Sequence, residues 1–216
     1  MAAESRRTDP SLADLLFEEG YRFDFFQAVR LLELVYNDRK PVGRQAGPAE
    51  EVVRFRSHLT LSFPASAIQE IEPARDGDAP IPARMTAAFM GLAGPLGVLP
   101  FHYTELLLER ARRKDPSLRD FLDIFNHRII SLFYRAWEKY RFYIGYERTA
   151  ASAQGYDNFS LHIFDLLGMG TGGLRGRLEF GDQALLYYGG LLAQHPRSAA
   201  AVGSVLHDYF GVPVEV

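Results

Sequence analysis

The sequence contains no cysteine, and this absence limits the chemistry that the protein can perform. Without thiols the chain has no disulfide, no thiolate metal site and no cysteine nucleophile, and it suits a reducing compartment. The six histidines stand singly, without an HExxH pattern or any cluster of metal-ligand spacing. The G-x-S-x-G elbow of serine hydrolases is also missing. We therefore predict a protein that is not an enzyme and has no metal site and no cofactor.

A strong charge of one sign and long apolar runs are absent as well. The formal net charge of -3 gives no broad basic surface for phosphates, so nucleic acid is not an expected partner. No run of about 18 uncharged apolar residues occurs, and the polar segment 1–10 lacks the apolar stretch of a secretory signal. We expect a cytoplasmic protein without direct membrane insertion and without a small-molecule substrate.

Aromatic residues, in contrast, are plentiful. The chain has 16 phenylalanines and 11 tyrosines, many of them in segments that also carry charge. Such rings are enriched at protein interfaces, although packing in a core is the simpler interpretation of any single ring. A composition of 47% hydrophobic and 24% charged residues is that of a globular protein with one large domain or two small ones.

The periodicity of the apolar residues predicts an α+β fold that is predominantly helical. A small antiparallel sheet or hairpins are expected between the N-terminal helices and a long central helix over 117–140. The predicted strands are 53–63, 67–71 and 84–92, and the other predicted helices are 12–19, 23–36, 103–114, 158–167, 183–193 and 198–210.

A change to an Ala- and Gly-rich composition suggests a domain boundary near residue 150. We expect residues 1–150 to form an N-terminal α+β domain and residues 151–216 to begin a second α+β region. The last five residues, VPVEV, resemble the start of a strand, and a strand needs a partner. We therefore expect the native protein to continue beyond Val216.

The central helix carries apolar residues at spacings of three and four, which form one continuous stripe. These residues are Leu118, Phe121, Leu122, Phe125, Ile129, Leu132, Phe133, Ala136 and Tyr140. Because Ile124, Ile130, Tyr134 and Trp137 fall outside the stripe, a second face of the helix is expected to contact another part of the chain or another subunit. The favoured interpretation of the helix as a whole is core packing.

The glycine-rich segment GMGTGG at 168–173 matches the pattern G-x-G-x-x-G through Gly168, Gly170 and Gly173. It follows a predicted helix and precedes a predicted strand at 174–180, which reverses the order found in dinucleotide-binding sites. The alternative function, a small-ligand or nucleotide-binding enzyme with Arg175 and Arg177 on phosphate, is therefore disfavoured. A helix-to-strand connection explains the glycines better.

The segment from 89 to 100 is apolar, yet it is full of glycine and proline. Loops normally lie at the surface, where an apolar tip is exposed unless something covers it. The loop therefore either plugs the core of its own domain or docks on a partner, and the residues do not favour one over the other. Its candidate contact residues are Phe89, Met90, Leu92, Pro95, Leu96, Val98, Leu99 and Pro100.

Residues 89–142 closely resemble the signature region of the TssG family, also called ImpH or VasB, of bacterial type VI secretion. The shared features are a GL-GP-GVLP loop followed by HYTE, FNHR and SLFYRAW. Segments 21–33 and 53–68 and the ending LHDYFGVPVEV are also similar to this family, whose members usually continue well past this point.

The resemblance implies a structural subunit of the phage-tail-like baseplate in this contractile injection machine. Family members assemble with TssF into the baseplate wedge and recruit TssK and TssE, and the sheath and tube are built from it. The complex lies in the bacterial cytoplasm, docked at the inner membrane through the secretion complex. We expect partner contacts from the apolar loop and from Tyr134 and Trp137 on the central helix.

Overall fold

The computed structural model describes residues 11–44, 47, 49–73, 83–152, 155–196 and 198–215.

The first two helices are each capped by the side chain of the residue that precedes them. Helix α1, Leu12–Glu18, begins with a capping box in which Ser11 accepts the Asp14 N–H at 3.1 Å and Asp14 accepts the Ser11 N–H. A short 3-10 helix, Gly20–Arg22, leads into α2, Phe25–Val35, which Asp24 caps.

Three short strands form one sheet in the order β1-β3-β2. They are β1 Val53–Ser57, β2 Ile68–Glu72 and β3 Ala83–Ala87. The predicted α+β class, mostly helical, is confirmed, but the sheet is mixed rather than antiparallel. Strand β3 pairs antiparallel with β2 and parallel with β1. An alternating pattern fixes which residues face the core but not the direction of the neighbouring strand, so the sequence could not distinguish these arrangements.

Two of the strands are shorter than their alternating patterns predicted. Strand β1 ends at Ser57. Of the apolar residues that continue the pattern, Leu59 is half-buried, while Leu61 and Phe63 are exposed, Phe63 to the extent of 81%. Strand β3 ends at Ala87, where the chain turns into the apolar loop. The core lies between the sheet, α2 and the central helix. Its largest buried side chains include Leu16, Phe55, Met85, Ile130 and Tyr134.

The central part of the chain consists of two helices, α3 Phe101–Arg112 and α4 Ser117–Glu138. Helix α4 packs against β1, but it does so with the face opposite to the expected one. The residues that it buries are Asp123, Asn126, His127, Ile130, Ser131, Tyr134 and Glu138. Most of the apolar stripe, including Phe121, Phe125 and Leu132, is exposed instead, so its predicted packing in the core is wrong.

The remaining helices are α5 Phe142–Ser152, α6 Asn158–Leu166, α7 Gln183–Tyr187, α8 Gly189–Leu192 and α9 Ala199–Phe210. Contacts within the chain separate one unit, residues 1–144, from a second unit, residues 145–216. The boundary near residue 150 stays a prediction. The strands predicted at 174–180 and after Gly211 are not formed in the described residues of the second unit, where no neighbouring strand is present to pair with them.

Candidate subunit interface

Helix α4 turns its polar face inward because that face completes the edge of the sheet. Strand β1 is an edge strand. The His58 N–H donates to the Ala87 carbonyl on the β3 side, so the alternate N–H groups of Phe55 and Ser57 point away from β3. His127 Nδ1 accepts the Phe55 N–H at 3.2 Å, and Asp123 Oδ1 accepts the Ser57 N–H at 3.3 Å. Asp123 and His127 are four residues apart and lie on one side of α4, and Phe55 and Ser57 are two residues apart and lie on one side of β1. The two acceptors can therefore meet the two N–H groups at the same time. Helix α4 thus replaces the missing neighbouring strand and covers the edge.

The same polar face also holds the apolar loop. The Asn126 side chain donates to Asp123 Oδ1 at 2.9 Å, and its own Oδ1 accepts the Leu92 N–H at 3.0 Å. On α3, Thr104 Oγ1 accepts the Gly94 N–H at 3.0 Å. Burial raises the pKa of Asp123, although the hydrogen bonds that Asp123 accepts from Asn126 and Ser57 oppose the rise. The base of the loop is therefore fixed to both helices.

His127 and Glu51 form a buried pair next to this network. His127 Nε2 lies 3.4 Å from Glu51 Oε2, while Glu51 Oε1 accepts the Gly43 N–H at 3.0 Å. Since Nδ1 accepts a backbone hydrogen bond, the neutral imidazole carries its proton on Nε2, which faces the carboxylate. Both side chains are less than a tenth exposed. The pair supports the β1 edge, and its burial closes it to a substrate.

The outward face of α4 is an apolar ridge. We define the α4 ridge as Phe121, Phe125, Ile129, Leu132 and Ala136. Phe121 is 54% exposed and Leu132 is 45% exposed, although both belong to a helix that packs on the core through its other side. An exposed apolar surface of this kind makes the ridge a candidate for association with another protein. Sequence reasoning did not predict the exposure of this stripe, because an apolar stripe normally faces the core.

The apolar loop has a buried base and an exposed tip. Phe89 and Met90 pack against the core, and Leu92 and Leu99 are half-buried. At the tip, Leu96 is 50% and Val98 81% exposed, and Pro95 and Pro100 are exposed as well. The base of the loop thus packs in the core of its own domain, whereas docking of the exposed tip on a partner stays a prediction.

The tip of the loop is held in shape by its own backbone. The Leu99 N–H donates to the Leu92 carbonyl at 2.9 Å, and the Gly97 N–H donates to the Gly94 carbonyl at 3.0 Å. A Cβ on Gly97 would lie 2.6 Å from the Ala93 carbonyl carbon, so this close approach requires glycine. The exposed side chains of the tip are thus presented on a defined scaffold.

A groove of about 340 Å³ lies between the loop and α4. Its apolar lining comes from Phe89, Met90, Leu92, Leu96, Val98, Ile129 and Ile130. The polar side chain in the lining is Asn126, whose oxygen and nitrogen are both hydrogen-bonded as described above. Because Ile129 belongs both to the groove and to the α4 ridge, the two form one continuous apolar surface.

The two α4 residues predicted to contact a partner lie on the other side of the helix. Tyr134 is completely buried in the core and therefore offers no surface to another subunit in this conformation. Trp137 is half-buried, stacks on the Phe26 ring at 4.5 Å, and lies under the Arg141 guanidinium. Ring packing between α2 and α4 is what these aromatic residues contribute.

Other candidate sites find little support in the described part of the chain. No group of three or more potential ligands there is arranged to hold a metal ion. Gly168 has a positive φ and ends α6, and the segment after it is irregular. Arg175 lies over the Phe164 ring. No described helix is both long enough and apolar enough to cross a lipid bilayer.

The comparison with family models decides the identity. The model "Type VI secretion, TssG" matches residues 19–216, which is nearly the whole chain. The chain belongs to the TssG family. No curated protein and no solved structure matches it. This TssG chain is therefore a component of the type VI secretion baseplate, and its family is one of structural components and not a known family of enzymes.

Proposed function

We propose that this TssG chain is a non-catalytic subunit of the baseplate wedge, which assembles with TssF and recruits TssK and TssE for assembly of the sheath and tube. It acts in the bacterial cytoplasm, docked at the inner membrane through the secretion complex. The observation that carries the proposal is the orientation of α4, whose polar face is buried and whose apolar ridge is exposed.

The orientation of α4 matters because an exposed apolar ridge is unfavourable in an isolated protein. Burial of apolar surface contributes about 25 cal/mol per Å², so several half-exposed Phe and Leu side chains represent substantial unused association energy. The polar face cannot be exchanged for the ridge, since Asp123 and His127 are needed at the β1 edge. A partner subunit that covers the ridge would supply the missing burial.

We assign different contacts to the two parts of this surface. The exposed loop tip, with Leu96 and Val98, contacts TssK, and the α4 ridge contacts TssF. Both belong to the proposed N-terminal baseplate domain of residues 1–150, while residues 151–216 begin a second region. The rigid backbone of the tip supports the first assignment, because a defined loop loses little conformational entropy on binding.

The experiment is co-expression of the chain with TssF and TssK of the same gene cluster, followed by affinity purification and mass measurement of the complexes. Leu96→Asp tests the loop and Leu132→Glu tests the ridge. The matched control is Leu12→Glu on α1, which is 55% exposed like the test positions but packs beside β2, whereas α4 packs on β1.

We expect Leu96→Asp to lose TssK, Leu132→Glu to lose TssF, and Leu12→Glu to lose neither. Each purified variant should keep the circular dichroism spectrum and melting temperature of the parent, because all three positions are exposed. If Leu96→Asp unfolds the chain, the loop belongs to the core. If the unaltered chain binds none of the baseplate proteins, the proposed function is wrong.

A further inference from the structure

The shape and charge of the α4 ridge specify what kind of segment covers it. We propose that the ridge and the adjoining groove bind a single amphipathic α-helix of a partner subunit, with one apolar anchor in the groove and acidic residues beside Arg128 and Lys139. This inference rests on the proposed function and adds the structural class and the charge of the partner segment.

The shape of the ridge favours a helix. From Phe121 to Ala136 it extends over about 15 residues, which corresponds to about 22 Å along the helix axis. Its members recur every three to four residues, and such rows fit into the grooves of a second helix. An added strand would need unpaired backbone N–H and C=O groups, which the middle of a helix does not offer because they are bonded internally.

The charges along the ridge are of one sign. Arg128 and Lys139 are exposed on the same arc of α4 as Phe121 and Leu132. The acidic residues of α4 lie elsewhere, since Asp123 and Glu138 are buried and Asp120 lies near Arg56 and Arg119. Complementary charges at the rim of an interface guide orientation and speed association. The partner helix should therefore carry aspartate or glutamate along the edge that meets Arg128.

The groove supplies the place for an anchor. Its volume of about 340 Å³ is sufficient for one large side chain, and its lining is apolar except for Asn126. Because the Asn126 amide already bonds to Leu92 and Asp123, the groove favours an apolar or aromatic anchor over a charged one. Binding energy at interfaces is concentrated in such anchors. Ile129 borders both groove and ridge, so one helix can contact both.

The absence of cysteine makes a site-specific test possible, because one introduced cysteine is unique in the chain. Ala136→Cys on the ridge is labelled with a benzophenone maleimide, combined with TssF and TssK, and crosslinked by light in the purified complex. The control cysteine needs an exposed position away from the ridge. Ala28 is buried in the core and is unsuitable, so the control replaces Tyr21, which is exposed in the 3-10 helix beside β2.

We expect crosslinks from Ala136→Cys to fall on one partner segment, at positions three or four residues apart, with an apolar stripe bordered by acidic residues. Tyr21→Cys should not reach that segment. Crosslinks to a strand or loop, to a second copy of this chain, or to this chain itself would overturn the inference while leaving a stable baseplate complex intact. Failure to form any complex would overturn the proposed function, and this inference with it.

The charge component has a separate readout. Arg128→Glu should slow association about fivefold at low salt, with a smaller effect at high salt, because rim charges act mainly on the rate of encounter. An acidic-to-lysine change in the crosslinked segment should restore the rate. The control is Arg22→Glu, an exposed charge reversal in the 3-10 helix beside β2. Equal effects at Arg22 and Arg128, or no effect at Arg128, would refute the acidic complement.

Discussion

Replacement of Asp123 separates two roles that a buried carboxylate can have, that of hydrogen-bond acceptor and that of charge. Its Oδ1 accepts from the Ser57 N–H at 3.3 Å and from Asn126 Nδ2 at 2.9 Å. Its other oxygen lies 4.0 Å from Arg56 Nε, which is a long and weak ion pair. The geometry therefore indicates that Asp123 stabilises the fold mainly as an acceptor.

Asp123→Ala should destabilise the protein by about 2 to 4 kcal/mol. The change leaves two donors, on Ser57 and Asn126, without their acceptor, and a buried polar group that loses its partner costs about 1–3 kcal/mol. Asn126 also accepts the Leu92 N–H, so part of the loss should extend to the apolar loop. Asp123→Asn keeps an acceptor oxygen in place and should change stability by less than about 1 kcal/mol.

The pH dependence gives an independent check. Because burial raises the pKa of Asp123 in the folded protein, the folded state holds this proton more tightly than the unfolded state does. The contribution of Asp123 to the stability of the parent protein should therefore fall as pH rises from about 4, the ordinary value for aspartate, through the raised value. Asp123→Asn lacks this titration, so its stability relative to the parent should increase between pH 3 and pH 7.

The assay is urea unfolding followed by the fluorescence of Trp137, the single tryptophan, which reports on the α2–α4 packing. The reasoning is refuted if the Ala and Asn variants are destabilised equally at pH 7, since that would make the charge, and not the acceptor, the stabilising feature. It is also refuted if the difference between Asp123→Asn and the parent is constant across the pH range.

Three further predictions follow from the packing. Tyr134→Ala should destabilise the protein by about 3 to 5 kcal/mol in the same urea assay, because it leaves a cavity where a fully buried ring was packed. A loss below about 1 kcal/mol would contradict the place of Tyr134 in the core. Gly97→Ala should weaken TssK capture without lowering the melting temperature of the protein, because a Cβ there would press on the Ala93 backbone and distort the loop tip. Unchanged capture would show that the shape of the tip does not matter for TssK binding. His127→Ala should increase hydrogen exchange at the Phe55 amide, read by mass spectrometry, whereas unchanged protection would show that His127 does not cap the β1 edge.

Much of the secondary structure follows from local signals. Ser11 and Asp24 fix the starts of α1 and α2 through their own side chains, and alternation fixes the buried side of β1 through Val53 and Phe55. The glycine and proline content of segment 89–100 also identified the loop correctly. These features depend on neighbours in the chain, so they can be read without knowledge of the fold.

Tertiary structure decided the arrangement of the strands and the candidate interface. Alternation in β1 and β3 is equally compatible with parallel and antiparallel neighbours, and the chain placed β3 between β1 and β2. Likewise, the pattern of α4 shows an apolar face and a polar face but not which of them turns inward.

The residues alone identify a helix-rich member of the TssG family without cysteine chemistry, and they show that α4 is strongly amphipathic. The folded chain is needed to see that α4 turns its polar face inward and its apolar face outward. The physical reason is the open edge of β1, whose N–H groups at Phe55 and Ser57 need acceptors where α4 covers them. Asp123 and His127 meet that requirement, and the apolar side chains of α4 are consequently left exposed on its outer face.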